Sequence, residues 1–140
     1  MIVVDTNVIS EPLKPAPNPL VLTWLAENSA EIALSAITVY ELLYGVQRLP
    51  RGRRRVRLTE AIERLIRDAG DRVLAYDDEA ARCHATLRAT REGAGKTTSV
   101  EDGMNAAIAL ARGAAVATRN VADFEGFGVP VVNPWASDET

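Results

Sequence analysis

Short runs of apolar, often β-branched residues alternate with longer segments of helical periodicity along the chain. The first run, Ile2-Val3-Val4, ends abruptly at a charged residue, as a short buried strand does. Strands are predicted at 2–4, 32–34, 73–75, 114–117 and 131–132, and helices at 20–27, 38–48, 58–69, 77–91 and 99–112. Because parallel neighbours in a sheet need a crossover between them, this alternation predicts an α/β fold. Its mostly parallel sheet is covered by helices on both faces, a three-layer α/β/α arrangement.

No boundary, repeat or low-complexity tract divides the sequence, so residues 1–140 are predicted to form a single domain. A length of 140 residues suits one domain, and 47% apolar with 25% charged residues excludes wholesale disorder. The lone cysteine, Cys83, excludes an intramolecular disulfide and suits a reducing compartment. No apolar stretch approaches the roughly 20 residues of a membrane helix. We therefore expect a cytoplasmic protein without a membrane-spanning segment.

Basic residues are concentrated in one segment, the arginine cluster at 48–57, although the net charge of −3 argues against non-specific coating of nucleic acid. No acid occurs between Glu41 and Glu60. The guanidinium fork suits phosphate and carboxylate groups. The central members are candidates for phosphate or partner binding: Arg51, Arg53, Arg54 and Arg55. A solvated loop and helix start is the other interpretation, and the sequence leaves both open.

Polar residues follow two of the predicted strands at their carboxyl ends. Asp5 comes directly after the first strand, within Asp5-Thr6-Asn7. Thr118-Arg119-Asn120, with Asp123 shortly after, follows the fourth strand. Ligands of open α/β sheets bind at the carboxyl ends of the strands, so these residues are candidates for a site. Each of them taken alone is also an ordinary turn or helix-capping residue.

Two further acids lie near predicted helix starts. Thr38-x-x-Glu41 and Ser99-x-x-Asp102 both have the spacing of a capping box, in which the acid satisfies backbone donors. Glu41 and Asp102 are therefore either capping residues or members of the same site. Glu101 is predicted to point about 100° away from Asp102 and is the weaker candidate.

The helix that carries Glu41 has other distinctive residues. Gly45 costs about 1 kcal/mol relative to alanine inside a helix, which indicates a close approach at that position. Tyr40 and Tyr44 stand at i,i+4 spacing and either pack in the core or contact a partner. On the fourth predicted helix, His84 lies on the apolar face, which favours a core position over a catalytic one.

The four acids Asp5, Glu41, Asp102 and Asp123 can all reach the same edge of one sheet. Several carboxylates held together need a compensating charge, and without one their repulsion is expected to raise at least one pKa. Oxygen ligands without His or Cys favour Mg²⁺ or Mn²⁺ over zinc. Such ions hold phosphate oxygens and activate water for in-line displacement.

Four segments of the chain, at 4–11, 35–45, 101–109 and 118–124, resemble the motifs of PIN-domain nucleases. The resemblance is strongest to the VapC/FitB-type toxins of bacterial type II toxin–antitoxin modules. It implies a compact α/β/α fold and an Mg²⁺-dependent endoribonuclease, with Mn²⁺ as a substitute ion. Asp5, Glu41 and Asp102 match the acidic triad of these toxins, and Asp123 matches their frequent fourth acid.

The resemblance also implies supporting residues and partners. Thr118 and Asn120 match polar neighbours of the acids, and Asn7 in the first motif is expected to support them. An RNA substrate, a homodimer and a VapB-type antitoxin that covers the active site are implied as well. Asn105 departs from the pattern, because these toxins usually carry an apolar residue there.

Two alternatives remain open. One is a PIN nuclease of RNA maturation or DNA repair that has no antitoxin. The other is a catalytically inactive binding module of the same fold, although no member of the acidic set is replaced in this sequence.

Overall fold

The structure, a computed structural model, describes residues 1–136. Within these residues one five-stranded sheet is formed by β1 (Ile2–Val4), β2 (Ile32–Ser35), β3 (Val73–Leu74), β4 (Ala115–Ala117) and β5 (Val131–Val132). The helices are α1 (Thr6–Ile9), α2 (Pro19–Glu27), α3 (Ala36–Gln47), α4 (Arg53–Ala69), α5 (Asp78–Gly93) and α6 (Val100–Ala111). Single turns of 3-10 helix cover Glu11–Leu13, Gly70–Arg72 and Val121–Phe124.

The strand order is β3-β2-β1-β4-β5, and every neighbouring pair is parallel. The first strand is therefore central: Val3 lies opposite Ala33 of β2 on one side and Val116 of β4 on the other. Since the strands are all parallel, the residues that follow them lie at one edge of the sheet.

Helices cover both faces of the sheet. Val3 packs in a buried cluster with residues of α5 and α6, among them Leu87 and Ile108. Val4 faces the other way and packs with residues of α1, α3 and α4, among them Leu42 and Ile62. Successive residues of a strand point to opposite faces, so one strand serves both cores. The predicted three-layer α/β/α fold with a parallel sheet is confirmed.

The start of α3 differs from the prediction. The helix begins at Ala36, and its N-cap is Ser35, whose hydroxyl oxygen accepts a hydrogen bond from the amide of Thr38 at 3.0 Å. The predicted capping box of Thr38 and Glu41 is therefore wrong. The strand and the helix abut without a loop, so the last residue of β2 takes the capping position. Glu41 has no capping role and is available for other contacts.

The start of α4 also lies earlier than expected. The helix begins at Arg53, so three arginines of the cluster occupy its first turn. Its N-cap is Gly52, which provides no side-chain hydrogen bond. Within residues 1–136, no helix combines the length and the apolar character that crossing a membrane requires.

Candidate active site

Asp5 is held in a fixed orientation at the end of β1. Its side chain caps α1, where Oδ1 accepts a hydrogen bond from the Thr6 amide at 2.8 Å. Oδ2 accepts from the Thr118 hydroxyl at 2.8 Å and from Asn7 Nδ2 at 3.3 Å. The residue is only 8% exposed. This carboxylate is thus both buried and oriented by its neighbours.

The residues after β4 support Asp5 from the adjacent strand. Thr118 is fully buried, and its hydroxyl oxygen also accepts from the amide of Asn120 at 3.1 Å. Asn7 Oδ1 accepts from the amide of Arg119 at 3.3 Å. The structure therefore brings Asn7 and Thr118 onto Asp5 directly, whereas Asn120 is exposed and contributes its backbone.

Glu41 lies in the second turn of α3 and turns towards the end of β1. Its Oε1 accepts a hydrogen bond from the Thr6 hydroxyl at 3.1 Å. Thr6 thus connects two acids, since its amide donates to Asp5 and its hydroxyl donates to Glu41. Sequence reasoning did not single out Thr6. Its place beside Asp5 in the Asp5-Thr6-Asn7 motif was the available signal.

Asp102 lies in the first turn of α6, and its position follows from the helix start. Ser99 is the N-cap, and its hydroxyl oxygen accepts from the Asp102 amide at 3.1 Å. Asp102 and Glu41 line one hollow of about 390 Å³ at this edge of the sheet. Glu101, the weaker candidate of the two adjacent acids, also lines this hollow. The first turn of a helix is open at its end, and two successive residues can face the same space there.

The electrostatics of Glu41 show that it lies close to other acids. Burial is the largest cause of its raised pKa, and the hydrogen bond from Thr6 offsets part of the rise. The charges of neighbouring carboxylates raise the pKa further, namely those of Asp5, Glu101 and Asp102. The direction of this pKa shift agrees with the expected repulsion, and burial is its larger cause.

Asp102 behaves in the same way. Burial is again the largest cause of its raised pKa, and the Ser99 side chain offsets part of it. The charges of Asp5, Asp123 and Glu101 raise it further. Asp123 itself is exposed, in the 3-10 turn after β4, so it lies at the rim of the acidic group.

No acid of this group forms an ion pair with a basic side chain within residues 1–136. The ion pairs found there use other acids, namely Glu11, Glu31, Asp77, Asp78 and Glu92. The donor set consists of carboxylate oxygens, which suits a divalent ion such as Mg²⁺ or Mn²⁺. In this same part of the chain, no three His, Cys, Asp or Glu side chains converge closely enough to hold an ion as they stand. The residues fit such an ion in chemistry and charge, and coordination would require the side chains that line the hollow to rotate.

The arginine cluster lies next to this hollow. Arg54 lines an adjoining hollow together with Glu41 and Gly45. Arg51 and Arg53 are exposed, and Arg55 is half-buried. Of the four predicted arginines, Arg54 is thus the one that shares a hollow with an acid of the site.

The close approach expected at Gly45 is found at Gly103 instead. A Cβ built at Gly45 would meet nothing within 4 Å, so the predicted close approach at Gly45 is wrong. A Cβ at Gly103 would lie 2.5 Å from His84 Nε2, so the close approach is at the helix of Asp102. His84 is hydrogen-bonded to the Tyr76 hydroxyl at 2.8 Å and packs between α5 and α6. His84 is half-buried among these packing contacts, so the predicted core position is met only in part.

Comparisons with known proteins agree with this geometry. A family profile described as the PIN domain matches residues 2–126. The plasmid stability protein StbB of Pseudomonas syringae pv. tomato is 43% identical over 137 residues, covering 96% of this chain and 99% of that protein. The VapC ribonuclease Y4jK of Sinorhizobium fredii is 43% identical over 137 residues, covering 96% and 98%. Toxin FitB of Neisseria gonorrhoeae is 42% identical over 137 residues, covering 96% and 99%.

Solved structures show the same similarity. The crystal structure of FitAcB from Neisseria gonorrhoeae superposes with a TM-score of 0.93 at 40% identity, covering 98% of this chain and 100% of that one. The DNA-bound VapBC of Salmonella typhimurium superposes with a TM-score of 0.80 at 28% identity, covering 96% and 98%. With the profile match over residues 2–126 and relatives above 40% identity along nearly their whole length, the chain belongs to the PIN-domain family.

Proposed function

We propose that this chain is a divalent-metal-dependent endoribonuclease and the toxin of a type II toxin–antitoxin module. The observation that carries the proposal is the buried, hydrogen-bonded Asp5 carboxylate beside Glu41 and Asp102, in a group of acids that forms no ion pair within residues 1–136. Relatives named VapC ribonuclease and toxin FitB, similar along nearly the whole chain, support the same function.

The proposed ligands are the four acids, with Mg²⁺ as the ion and Mn²⁺ as a substitute. Asp5, Glu41 and Asp102 would hold the ion, and Asp123 would act from the rim. When bound, the ion supplies neutralisation of the scissile phosphate and activation of the attacking water. Thr118 and Asn7 hold the Asp5 carboxylate in one orientation, and Thr6 holds Glu41. Orienting contacts of this kind are what a metal ligand requires from its surroundings.

The arginine cluster is proposed to bind the RNA phosphates. Three arginines in the first turn of α4 oppose the helix dipole, whose positive end lies there. None of these three forms an ion pair with an acid of residues 1–136. Unpaired positive charge at an unfavourable position indicates a surface for an anionic ligand. Arg54 lines a hollow with Glu41, which connects this surface to the acids.

The proposed assembly is a homodimer bound by a VapB-type antitoxin whose segment covers the acidic hollow. The support comes from similar solved structures that are complexes, FitAcB and the DNA-bound VapBC. The open hollow around Glu41 and Asp102 has room for such a segment.

The decisive experiment is cleavage of labelled RNA by the purified protein with Mg²⁺, with excess EDTA, and after Asp5→Asn. We expect cleavage only with the ion and the intact carboxylate, while circular dichroism and melting show that Asp5→Asn is folded. Asp78→Asn is the matched control, because Asp78 is an exposed acid on α5 with a surface ion pair. Full activity in EDTA, or undiminished activity of Asp5→Asn, would contradict the proposal.

The two alternatives give different results in the same assay. A maturation or repair nuclease would cut RNA or DNA and would not be neutralised by a co-expressed protein encoded just upstream. An inactive binding module would bind RNA and leave it intact with either ion. Neutralisation of the cleavage by an upstream-encoded protein would identify the toxin.

A further inference from the structure

We propose that Tyr40, Tyr44 and Arg48 form a subsite that stacks unpaired nucleobases of single-stranded RNA beside the acidic hollow. The inference rests on the proposed ribonuclease function and deepens it by naming the residues that contact the bases next to the cut. Tyr40 and Tyr44 stand one turn apart on α3, and Arg48, its C-cap, follows one turn later, so the three form one stripe along the helix surface.

The two tyrosine rings are exposed rather than packed in the core. Tyr40 is 56% exposed and Tyr44 is 52% exposed, so the core-packing interpretation of these residues is wrong. Their ring centroids lie 5.9 Å apart with the planes tilted by 36°. Two neighbouring aromatic faces open to solvent are the arrangement on which proteins stack successive bases of a single strand.

Arg48 adds a charge to the same stripe. Its guanidinium lies 5.5 Å from the centroid of the Tyr44 ring, within the range of a cation–π contact. No carboxylate of residues 1–136 forms an ion pair with it, so its charge is available for a phosphate. Rings for bases and a guanidinium for the backbone together match a single-stranded nucleic acid.

The stripe borders the acids directly. Tyr40, Tyr44 and Arg48 line the same hollow as Glu41 and Asp102. Gly45 lies in this hollow as well and has no side chain to fill it; a Cβ there would meet nothing within 4 Å. A phosphate held at the acids would therefore place a neighbouring base against the tyrosines. In a duplex both faces of each base are covered by stacking, so the base must be unpaired.

The experiment measures binding separately from cleavage. Asp5→Asn provides the background, because it prevents cutting, and fluorescence anisotropy reports the affinity. The probes are a short labelled single-stranded oligoribonucleotide, the same sequence as a duplex, and the same backbone with abasic residues. Wild-type protein with Mg²⁺ is assayed for RNA cleavage in parallel, so failure of the ribonuclease function is seen independently.

We expect the single strand to bind more tightly than the duplex or the abasic strand. Replacing both rings, Tyr40→Ala with Tyr44→Ala, should weaken binding of the single strand by about 10- to 100-fold. The same change should weaken binding of the abasic strand by less than about threefold, because no base is left to stack. Tyr40→Phe with Tyr44→Phe keeps both rings, so the affinity of this variant for the single strand should stay within about twofold of wild type. Leu22→Ala, at an exposed apolar residue of α2, is the matched surface control and should change nothing.

Three results would overturn the subsite. One is unchanged affinity of the double alanine variant for the single strand. Another is an equal decrease in affinity for the abasic and the base-bearing strands, which would show that the rings do not contact bases. The third is that the double alanine variant sediments as a monomer whereas the wild type is a dimer, and both proteins bind RNA with the same affinity per chain. That result would make Tyr40 and Tyr44 a contact between copies of the protein.

Discussion

The hydroxyl of Thr118, a fully buried residue at the end of the neighbouring strand, donates a hydrogen bond to Asp5 Oδ2 at 2.8 Å. This contact connects the ends of β1 and β4, the two strands that carry the polar residues of the site. It orients the carboxylate without adding charge, so its effect is separable from that of the acids.

We expect Thr118→Val to lower kcat for RNA cleavage by about 10- to 100-fold, as removal of an orienting partner of a metal ligand does. Valine has nearly the same shape as threonine, so the fold and the apparent affinity for RNA should persist. Thr118→Ser keeps the hydroxyl and is the control. Steady-state kinetics with a melting curve for each variant test this, and wild-type kcat in Thr118→Val would exclude the orienting role.

The raised pKa values of Glu41 and Asp102 predict how the metal-free protein responds to pH. Between the unfolded and the folded pKa values the folded state binds more protons, so stability falls as the pH rises through that window. Glu41→Gln with Asp102→Asn should therefore raise the melting temperature at neutral pH. The gain should disappear in acid, below the ordinary pKa of both groups. The pKa of Glu11 is lowered, chiefly by its hydrogen bond with Lys14, so its contribution to stability has the opposite pH dependence. Wild type and the double variant both contain Glu11, so this contribution cancels when their stabilities are compared.

The same pair of proteins tests the ion. Mg²⁺ should raise the melting temperature of the wild type, because an ion that binds only the folded state stabilises it, and should not raise that of the double variant. Melting scans across pH, with and without Mg²⁺, measure both effects. A double variant that is less stable than wild type at neutral pH would contradict the cost of ionising Glu41 and Asp102 that their raised pKa values imply.

Gly103 and Gly45 should respond in opposite directions to alanine. Gly103→Ala brings a Cβ to 2.5 Å from His84 Nε2 and should cost about 1–3 kcal/mol, as overpacking does. Gly45→Ala meets open space in a helix and should stabilise the protein by about 0.5–1 kcal/mol. Urea denaturation measures both. His84→Ala should recover part of the stability that Gly103→Ala removes, and the absence of any recovery would assign the destabilisation to another neighbour.

Ser35 and Asn105 join the helices of Glu41 and Asp102 through a buried hydrogen bond from the Ser35 hydroxyl to Asn105 Oδ1. Asn105 Nδ2 is buried without a partner within residues 1–136. Ser35→Ala removes the cap of α3 and should cost about 1–2 kcal/mol. Asn105→Leu removes both the bond with Ser35 and the unpaired donor, so the free energy of unfolding of this variant should stay within about 1 kcal/mol of wild type.

The double variant should cost less than the sum of the two, because each single change removes the same bond. Denaturant unfolding of the four proteins gives this coupling. A destabilisation in Asn105→Leu as large as that in Ser35→Ala would show that the amide contributes more than this one bond.

The arginine cluster is tested by replacing Arg53, Arg54 and Arg55 with glutamine. If the cluster binds RNA, the slope of log K against log salt should fall by about 0.7 for each phosphate of a single strand that the variant no longer neutralises. An unchanged slope with normal cleavage but failed neutralisation by the antitoxin would assign the cluster to the partner. If the free energies of RNA binding and of antitoxin binding both change by less than about 0.5 kcal/mol, the arginines are a solvated surface.

The sheet was predictable because its strands are short apolar runs that end at polar residues. The runs at 2–4 and 131–132 have the predicted bounds, and the 32–34 run extends by only one residue. The start of α3 was misplaced because Ser35 and Thr38 are both good capping residues, and the choice depends on where β2 ends. The short helix α1 spans four residues, too few to show a helical period.

The positions of the acids were predictable from the ends of strands and the starts of helices, whereas side-chain directions were not. Glu101 and Thr6 face the site because of how α6 and α1 are rotated against the sheet, which residue spacing does not determine. The close approach of His84 to Gly103 likewise depends on packing between two helices that are distant in sequence. Such contacts become visible only once the tertiary arrangement is known.

The central position of β1 has a consequence for synthesis of the protein. Asp5 and Thr118 are 113 positions apart, and β1 pairs with β4 along its whole length. A chain made from its N-terminus therefore carries Asp5 long before the partner strand leaves the ribosome. Until β4 has been made, β1 lacks its partner strand on one side, and the Asp5 carboxylate lacks the hydrogen bond from Thr118. The proposed site is therefore complete only after β4 has paired with β1, late in synthesis.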